Sequence, residues 1–590
     1  MNKTASFQLF RDSVIFILSM IALVALTLDY GYSMNYWMHL ITDFFYFLCG
    51  FIFTFYFIKH LPKKGKLNKK PIGYYVVTLL SIILLIVSSL NTSNFIFYDS
   101  TSLNPFTMDL VFVLILFDLS SRLYNLNSQT LHPALVFVLS FVVLIFIGTL
   151  LLMAPKATVH GINFINALFT STSAVCVTGL AVLDTGKDFT LIGQLTIMCL
   201  IQFGALGMLS FTSLFALFFK GFGSFESRLN IKDMINADTL DGTFKRLIQI
   251  IIFVFSAEGI GTLLIFSSLD DTFGTFKKRM FFSVFHSISA FCNAGFSTLS
   301  NSLYEEGFRY NYSLQMSIAL LIVCGGLGFV VFINIFHYLK KWFFYTTYRL
   351  FNITWKGHIQ KLKPHISLNS KIVLYTTLSL IVFGTLFFYL LEINNSLQEH
   401  SGIGKFFTAL FGSITTRTAG FNNVEIGHLH FTTIMIVLFL MWIGASPGST
   451  GGGIKTSTFA IASFNIIQQV TGYKNIIVGY KKISQTALQR ATTIISLSLI
   501  MIGISTFLLI HFDKKLGIMQ IAFECISAFS TVGLSMGITS QLSDASKLVI
   551  ISTMLIGRVG LLTLLIGITR QFYTYQYSAI EYPREEIFIN

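Results

Sequence analysis

Long apolar runs alternate with short polar loops along almost the whole chain. Runs of 18 or more residues recur, and that is the length a helix needs to cross the hydrocarbon core of a membrane. If the lysine-rich loop 59–70 is cytoplasmic, the positive-inside rule requires four spans before residue 131. The candidate runs lie near residues 12–29, 38–58, 72–90 and 107–120. The pattern predicts an all-α polytopic membrane protein with about four extra transmembrane helices in residues 1–130.

The rest of the chain repeats one arrangement four times. Each unit has an apolar span, an outer loop, a short segment that ends in glycine and a large apolar residue, and a second span with a pair of small residues. The glycine-ended segments are T-S-T-S-A-V-C-V-T-G-L (170–180), F-H-S-I-S-A-F-C-N-A-G-F (285–296), L-F-G-S-I-T-T-R-T-A-G-F (410–421) and F-E-C-I-S-A-F-S-T-V-G-L (523–534). The first spans lie near 133–153, 246–267, 371–391 and 491–511, and the small pairs are Gly204 and Gly207, Gly325 and Gly328, Gly444 and Gly448, and Gly557 and Gly560. We predict repeat 1 at 131–220, repeat 2 at 221–345, repeat 3 at 346–482, repeat 4 at 483–570 and a cytoplasmic tail at 571–590.

Together the four segments predict four membrane-pore-membrane repeats around one pseudo-fourfold pore. Glycine lacks a Cβ, so the bends that aim backbone carbonyls inward cost little there. Each segment is too short to span, and a pore helix of that length directs the negative end of its dipole toward the centre, which favours a cation. The alternative is that each glycine is only a small-residue packing site between helices. The predicted ion-binding residues are Val177, Thr178, Gly179, Asn293, Ala294, Gly295, Thr418, Ala419, Gly420, Thr531, Val532 and Gly533.

Composition and charge fit a membrane protein and not a nucleic-acid-binding one. The chain has 590 residues, of which 54% are hydrophobic and 11% charged, with a mean hydropathy of +0.73. Its net charge of +14 resides in a few short loops between apolar runs, so the positive-inside rule explains it. The loops 59–70, 220–246, 340–371 and 474–490 are therefore predicted to be cytoplasmic, as are both termini. The six cysteines form no C-x-x-C pair, so neither a zinc site nor a disulfide framework is indicated.

The second span of the third unit is interrupted by I-G-A-S-P-G-S-T-G-G-G-I-K-T-S-T, residues 443–458. Proline and clustered glycines cannot sustain a regular helix, and irregular backbone at membrane depth is tolerated only where it lines a cavity or is buried in protein. We predict a flexible intramembrane gate beneath the ion sites. The alternative is a helix that ends at the cytoplasmic face near Ser446. The gate residues are Gly444, Pro447, Gly448, Gly451, Gly452, Gly453, Lys455 and Arg558.

Arg558 stands inside the apolar run 548–568, where an unpaired charge costs at least a few kcal/mol. It either binds only loop carbonyls or latches the interrupted segment and repels a cation in the path. Lys455 pairs with an acid or extends toward the interface. His286 is predicted to be a hydrogen-bonding residue of a pore helix and not a metal ligand, and Glu258 to face a helix interface or the pore.

Two acids lie at the same distance after the glycines that end their segments, which we call the ring glycines (Gly179, Gly295, Gly420 and Gly533). Asp184 and Glu425 each stand five residues past a glycine, in units that should face each other across the axis. A pair of acids at the outer mouth concentrates cations, and salt screens that effect. The alternative is that both are ordinary solvated loop acids.

The motifs V-C-V-T-G-L-A-V-L-D-T-G and S-P-G-S-T-G-G-G-I-K-T-S-T resemble the Trk, Ktr and HKT superfamily of potassium transporters, most closely the KtrB-type, TrkH-like membrane subunit. The resemblance covers about residues 131–570. It implies one chain folded into four repeats around one ion path, potassium selectivity from glycine at all four ring positions, and a gating loop with Arg558. It also implies a homodimer bound to a ring of cytoplasmic nucleotide-binding RCK subunits. Residues 1–130 exceed the usual leader of this family.

The predicted function is potassium uptake across the plasma membrane, the inner membrane of a bacterium, with potassium ions bound at the ring and no cofactor. A sodium- or proton-coupled cation symporter of the same fold is the alternative. An intramembrane enzyme is a further one, but the chain has no H-E-x-x-H, no G-x-S-x-G and no acidic pair on one helix face. We therefore predict that it is not an enzyme.

Overall fold

The computed structural model describes residues 133–206, 243–270, 273–350, 366–473, 476–478 and 481–572, with isolated positions at Phe45, Leu48, Phe51 and Ile52. Outside these residues lie Gly207 of the first small pair, residues 573–590 of the predicted cytoplasmic tail and, apart from the isolated positions, the four predicted N-terminal spans. The helices are α1 Pro133–Leu152, α2 Phe164–Val175, α3 Leu191–Leu206, α4 Thr243–Ser267, α5 Phe276–Cys292, α6 Tyr312–Leu327, α7 Phe329–Leu350, α8 Leu368–Glu392, α9 Ile403–Thr418, α10 Phe431–Trp442, α11 Thr456–Thr471, α12 Gln485–Phe512, α13 Ile518–Ser530, α14 Asp544–Val559 and α15 Leu561–Phe572.

The described part is helical, with one small exception. Strands β1 Ile477–Val478 and β2 Lys481–Lys482 form a two-stranded antiparallel hairpin. Among the described residues, three stretches are long and apolar enough to cross a membrane in one helix: Gln249–Ser267 within α4, α8 and α12. The prediction of a helical protein with several apolar helices is confirmed, and the first helix of each unit begins and ends within a few residues of its predicted span.

In each unit the middle helix, called the short helix below, packs against the helices that precede and follow it in the chain. The pore-helix candidates α2, α5, α9 and α13 each contact the helix before and the helix after them: α1 and α3, α4 and α6, α8 and α10, α12 and α14. The second helix of each unit also packs on the short helix of another unit, α3 on α5, α6 on α9, α10 on α13 and α14 on α2. These contacts between the units form a closed cycle.

The second helices of three units break at glycine. The α6–α7 pair bends by 97° at Gly328, which has φ +76°, and the α14–α15 pair bends by 84° at Gly560, which has φ +87°. Positive φ is the region where glycine carries no Cβ penalty. In the third unit the break is longer, because α10 ends at Trp442 and α11 begins only at Thr456. The predicted interruption is therefore a real gap of irregular backbone between two helices.

Candidate functional site

The short helices end in buried, hydroxyl-rich turns. Ser173 Oγ accepts a hydrogen bond from the Gly179 amide at 3.1 Å, and Ser527 Oγ accepts one from Gly533 at the same distance. In the second unit the hydroxyl of Ser289 instead donates to the carbonyl of Phe296, at 2.7 Å. Serine and threonine suit these positions because their short side chains can bond nearby backbone. The hydroxyls thus fix the bend that follows each helix.

Three of the four segments enter this bend through a left-handed residue. Val177, Asn293 and Thr531 have φ of +57°, +61° and +50°, a region that non-glycine residues rarely adopt. The third segment differs, since α9 continues through Thr418 and Ala419 has φ −109°.

The third segment differs because it is one residue shorter. Ser171 and Ser287 stand eight residues before their ring glycines and donate to backbone carbonyls of α1 and α4, at 2.7 and 2.6 Å. Ser413 makes the same bond to α8 at 2.9 Å but stands seven residues before Gly420. An alignment of the four segments on their glycines therefore places the third segment one residue out of register.

The four ring glycines contact one another in a closed cycle. A Cβ built on Gly295 would lie 2.6 Å from the carbonyl oxygen of Ala419 and 3.2 Å from the Cα of Gly420. A Cβ on each of the other three would approach a neighbouring carbonyl oxygen even more closely. The pairs are Gly179 with Ala294, Gly420 with Val532, and Gly533 with Thr178. Each position thus needs glycine because the carbonyl of the next unit occupies the space of a side chain.

A cavity of about 250 Å³ lies on one side of this ring, lined by all four glycines and by residues that follow them. Asp184 lines it, and its Oδ1 accepts the amide of Gly186 at 2.8 Å. Glu425 is not among the lining residues, is exposed, and pairs with His428 Nδ1 at 3.2 Å. Of the two predicted outer-mouth acids, the structure thus brings one to the cavity.

The interrupted segment lies on the other side, against residues that precede the glycines. The Gly452 amide donates to Thr531 Oγ1 at 2.9 Å, and the side-chain amide of Asn293 lies 3.1 Å from Thr450 Oγ1. A Cβ on Gly451 would lie 2.8 Å from the methyl group of Thr418. The segment therefore contacts three of the four glycine-ended segments at once.

Further hydrogen bonds and contacts hold the interrupted segment 443–455 to its surroundings. The Ser446 amide donates to the carbonyl of Gly326 at 3.0 Å, beside the break of α6. Pro447 and Gly448 follow, and a Cβ on Gly328 would lie 2.8 Å from the carbonyl of Gly448. Residues Ile443 and Ile454 pair as an isolated parallel bridge, which closes the segment into a compact loop at Gly444 and Gly453.

Three cationic side chains bond carbonyls of this loop. Arg558 is 1% exposed, and its guanidinium donates to the carbonyls of Thr450 and, at 2.8 Å, of Gly204. Lys455 donates to the carbonyl of Gly451, and no acid among the described residues pairs with it. Buried Arg417 donates to the carbonyl of Gly444 at 3.4 Å. Sequence reasoning missed Arg417, although a charged residue within a glycine-ended segment, three positions before Gly420, was a visible signal.

Two buried polar side chains have partners that the sequence could not assign. Glu258 lies in a helix interface, where its Oε2 accepts from the side-chain amide of Gln202 on α3 at 3.2 Å. Glu524, on α13, is fully buried and was not singled out by the sequence. The partner of Glu258 is 56 residues away in the chain, and that of Glu524 is Thr539, in the loop that follows its helix.

Comparison with known proteins identifies the family. Residues 106–572 match the TrkH family, described as cation transport protein. The potassium/sodium uptake protein NtpJ of Enterococcus hirae is 35% identical over 473 residues, which cover 78% of this chain and 98% of that protein. The Ktr system potassium uptake protein B of Bacillus subtilis is 34% identical over 458 residues, covering 77% of this chain and 96% of that protein.

A solved structure has the same fold. The potassium transporter TrkH from Vibrio parahaemolyticus superposes with a TM-score of 0.57 at 16% identity, covering 88% of this chain and 97% of that one. The predicted resemblance is confirmed, and the chain belongs to the TrkH family of cation transport proteins.

Proposed function

We propose that this protein takes up potassium across the plasma membrane through the ring of carbonyls that its four glycine-ended segments form. The observation that carries the proposal is the closed glycine cycle, in which each glycine lies against the carbonyl of the next unit. Four carbonyls around one centre can replace the hydration shell of an alkali ion. The ring oxygens belong to Thr178, Ala294, Ala419 and Val532, with further ligands from Val177, Asn293, Thr418 and Thr531.

Potassium is the favoured cargo because glycine stands at all four ring positions and because several relatives are named potassium uptake proteins. One relative is named a potassium/sodium uptake protein, and this favours sodium-coupled transport as the second candidate. No cofactor enters the proposal, since binding at backbone oxygens requires only that the ion shed its water.

Residues 443–455 act as the gate in this proposal. The loop touches Asn293, Thr418 and Thr531 just before the ring, so it blocks the path from that side while it stays folded. Arg558 latches it by bonding Thr450 and Gly204, which belong to different units. Movement of the loop must break that latch, and a buried cation beside the path also repels a passing ion.

The cavity on the far side of the ring is the outer mouth. Asp184 lines it and supplies negative charge that attracts cations from solution. Glu425 contributes to the field only at longer range, since it stands outside the lining and pairs with His428.

We propose that other protein chains regulate transport by this protein. We place both termini in the cytoplasm and propose a homodimer in the lipid bilayer, bound on its inner face to nucleotide-binding RCK subunits, with no nucleic-acid partner. Two relatives are named as the B and D proteins of a Ktr system, which supports a multi-subunit assembly.

The test uses purified full-length protein in liposomes with opposed potassium and sodium gradients. We expect the current to reverse near the potassium equilibrium potential. A reversal potential that follows the sodium or proton gradient supports coupled transport instead. A protein that binds potassium but passes no cation contradicts both potassium uptake and coupled transport.

A further inference from the structure

The second and fourth units carry a buried polar side chain at the same place on their short helices. His286 on α5 and Glu524 on α13 each stand nine residues before their ring glycine, and both are 0% exposed. The first unit has Thr170 there. The third has Gly412, one residue before Ser413, because that unit is one residue shorter. Only two of the four units therefore have a polar side chain long enough to reach beyond their own helix.

His286 bonds the chain that follows the second ring glycine. Its Nδ1 lies 2.9 Å from the carbonyl of Phe282, which can only accept, so Nδ1 carries the proton of the neutral ring. Its Nε2 lies 2.9 Å from Ser297 Oγ and therefore accepts the serine hydroxyl. Ser297 Oγ in turn accepts the Leu299 amide at 3.0 Å. The histidine thus holds a segment that lines the outer cavity.

Glu524 reaches the equivalent segment of the fourth unit through one further hydroxyl. Its Oε1 accepts from Thr539 Oγ1, which lies 2.9 Å from Ser535 Oγ. Ser535 Oγ also accepts the Gly537 amide at 3.1 Å. The other carboxyl oxygen of Glu524 has no hydrogen-bond partner among the described residues. This carboxyl therefore acts as an acceptor for the cavity wall.

The hydrogen-bonded chains that begin at His286 and Glu524, called ties below, end at matching positions. Ser297 and Ser535 both stand two residues after their ring glycines, and both line the outer cavity. In the cyclic order of the ring, the second and fourth units lie opposite each other. The first unit has no such tie, since Thr170 Oγ1 donates to the carbonyl of Asn166 in its own helix, and Gly412 has no side chain.

We propose that His286 and Glu524 are positioning residues that hold opposed walls of the outer cavity and thereby fix the ring along one diagonal. The proposal rests on the ring being the ion site. Loss of either tie releases one wall, so the carbonyl spacing along that diagonal becomes variable and the site discriminates less well between ions of different size.

The test measures the apparent KM for potassium, the maximal flux and the potassium-to-sodium flux ratio in liposomes. Glu524→Leu removes the acceptor, whereas Glu524→Gln keeps a side-chain carbonyl at the same place. We expect Glu524→Leu to raise the KM and lower the flux ratio, each about tenfold, which corresponds to about 1.4 kcal/mol. We expect Glu524→Gln to restore both values to within about twofold of wild type.

Ser535→Ala provides a second variant that leaves the helix interior intact, and it should reproduce the Glu524→Leu phenotype. Thr170→Val is the matched control at the same helix position and should leave KM and flux ratio unchanged. A selective wild type together with unchanged Glu524→Leu and Ser535→Ala variants overturns this inference alone. Equal loss in Glu524→Leu and Glu524→Gln also overturns it, whereas a wild type without potassium selectivity overturns the proposed function.

Discussion

Gly295 offers the sharpest test of the ring, because the structure gives the size of the perturbation. A Cβ at this position would lie 2.6 Å from the carbonyl oxygen of Ala419, whereas real Cβ atoms essentially never approach within 3.0 Å. In Gly295→Ala that carbonyl must therefore move by at least about 0.4 Å, the difference between these two distances. The new side chain also adds a backbone penalty of about 1–2 kcal/mol, because φ is +70°.

Gly472 separates the two effects. It has the same φ of +70°, at the end of α11, but a Cβ there would meet nothing within 4 Å. Gly472→Ala therefore carries the backbone penalty without displacing a carbonyl. Gly295→Ala should lose at least as much thermal stability as Gly472→Ala, and only Gly295→Ala should change the ion selectivity of transport.

The assay is potassium and sodium flux into liposomes that hold each variant at equal protein density. We expect Gly295→Ala to lower the potassium-to-sodium flux ratio about tenfold, equivalent to about 1.4 kcal/mol of lost discrimination. Gly472→Ala should keep the wild-type ratio. Wild-type selectivity in folded Gly295→Ala, or equal loss in both variants, would show that the ring does not set ion selectivity.

Other substitutions test the remaining parts. Gly179→Ser should also reduce potassium selectivity, and wild-type selectivity in this variant would contradict its place in the ring. Arg558→Ala removes the bond to the loop, so uptake should rise several-fold or lose its regulation, and flux like wild type with intact gating removes the latch role. Asp184→Asn should lower uptake mainly at low ionic strength, and more than Glu425→Gln, because screening shortens the reach of a surface charge; equal loss at all salt concentrations indicates a structural effect. Burial lowers the pKa of His400, in the loop between α8 and α9, so the neutral form is favoured in the folded state. Thermal stability should thus fall as the pH drops below about 6.5, and His400→Gln should flatten that dependence in a melting assay.

Much of the fold follows from the apolar pattern alone. The spans are visible because lipid tolerates only long apolar helices, and the predicted span near 371–391 corresponds to α8, Leu368–Glu392. The glycines were visible because they recur with the same neighbours in four units. The long break after Trp442 was visible because proline and five glycines cannot continue a helix.

The sequence could not supply the contacts between units. Counting back from the glycine gives no sign that the third segment is one residue shorter, since a helix absorbs the difference at Thr418. The bond from Arg558 to Gly204 joins residues far apart in the chain, and the sequence gives the cost of a buried charge but not its partner. Counting alone also placed Glu425 opposite Asp184, whereas in the structure Glu425 is exposed, pairs with His428 and does not line the cavity.

The proposed function requires that four main-chain oxygens bind the transported ion. The most direct measurement is the anomalous scattering of thallium, a potassium mimic, in crystals of the transport-competent protein. We expect a peak enclosed by the carbonyl oxygens of Thr178, Ala294, Ala419 and Val532. Peaks confined to other sites, with none at this ring, would contradict it.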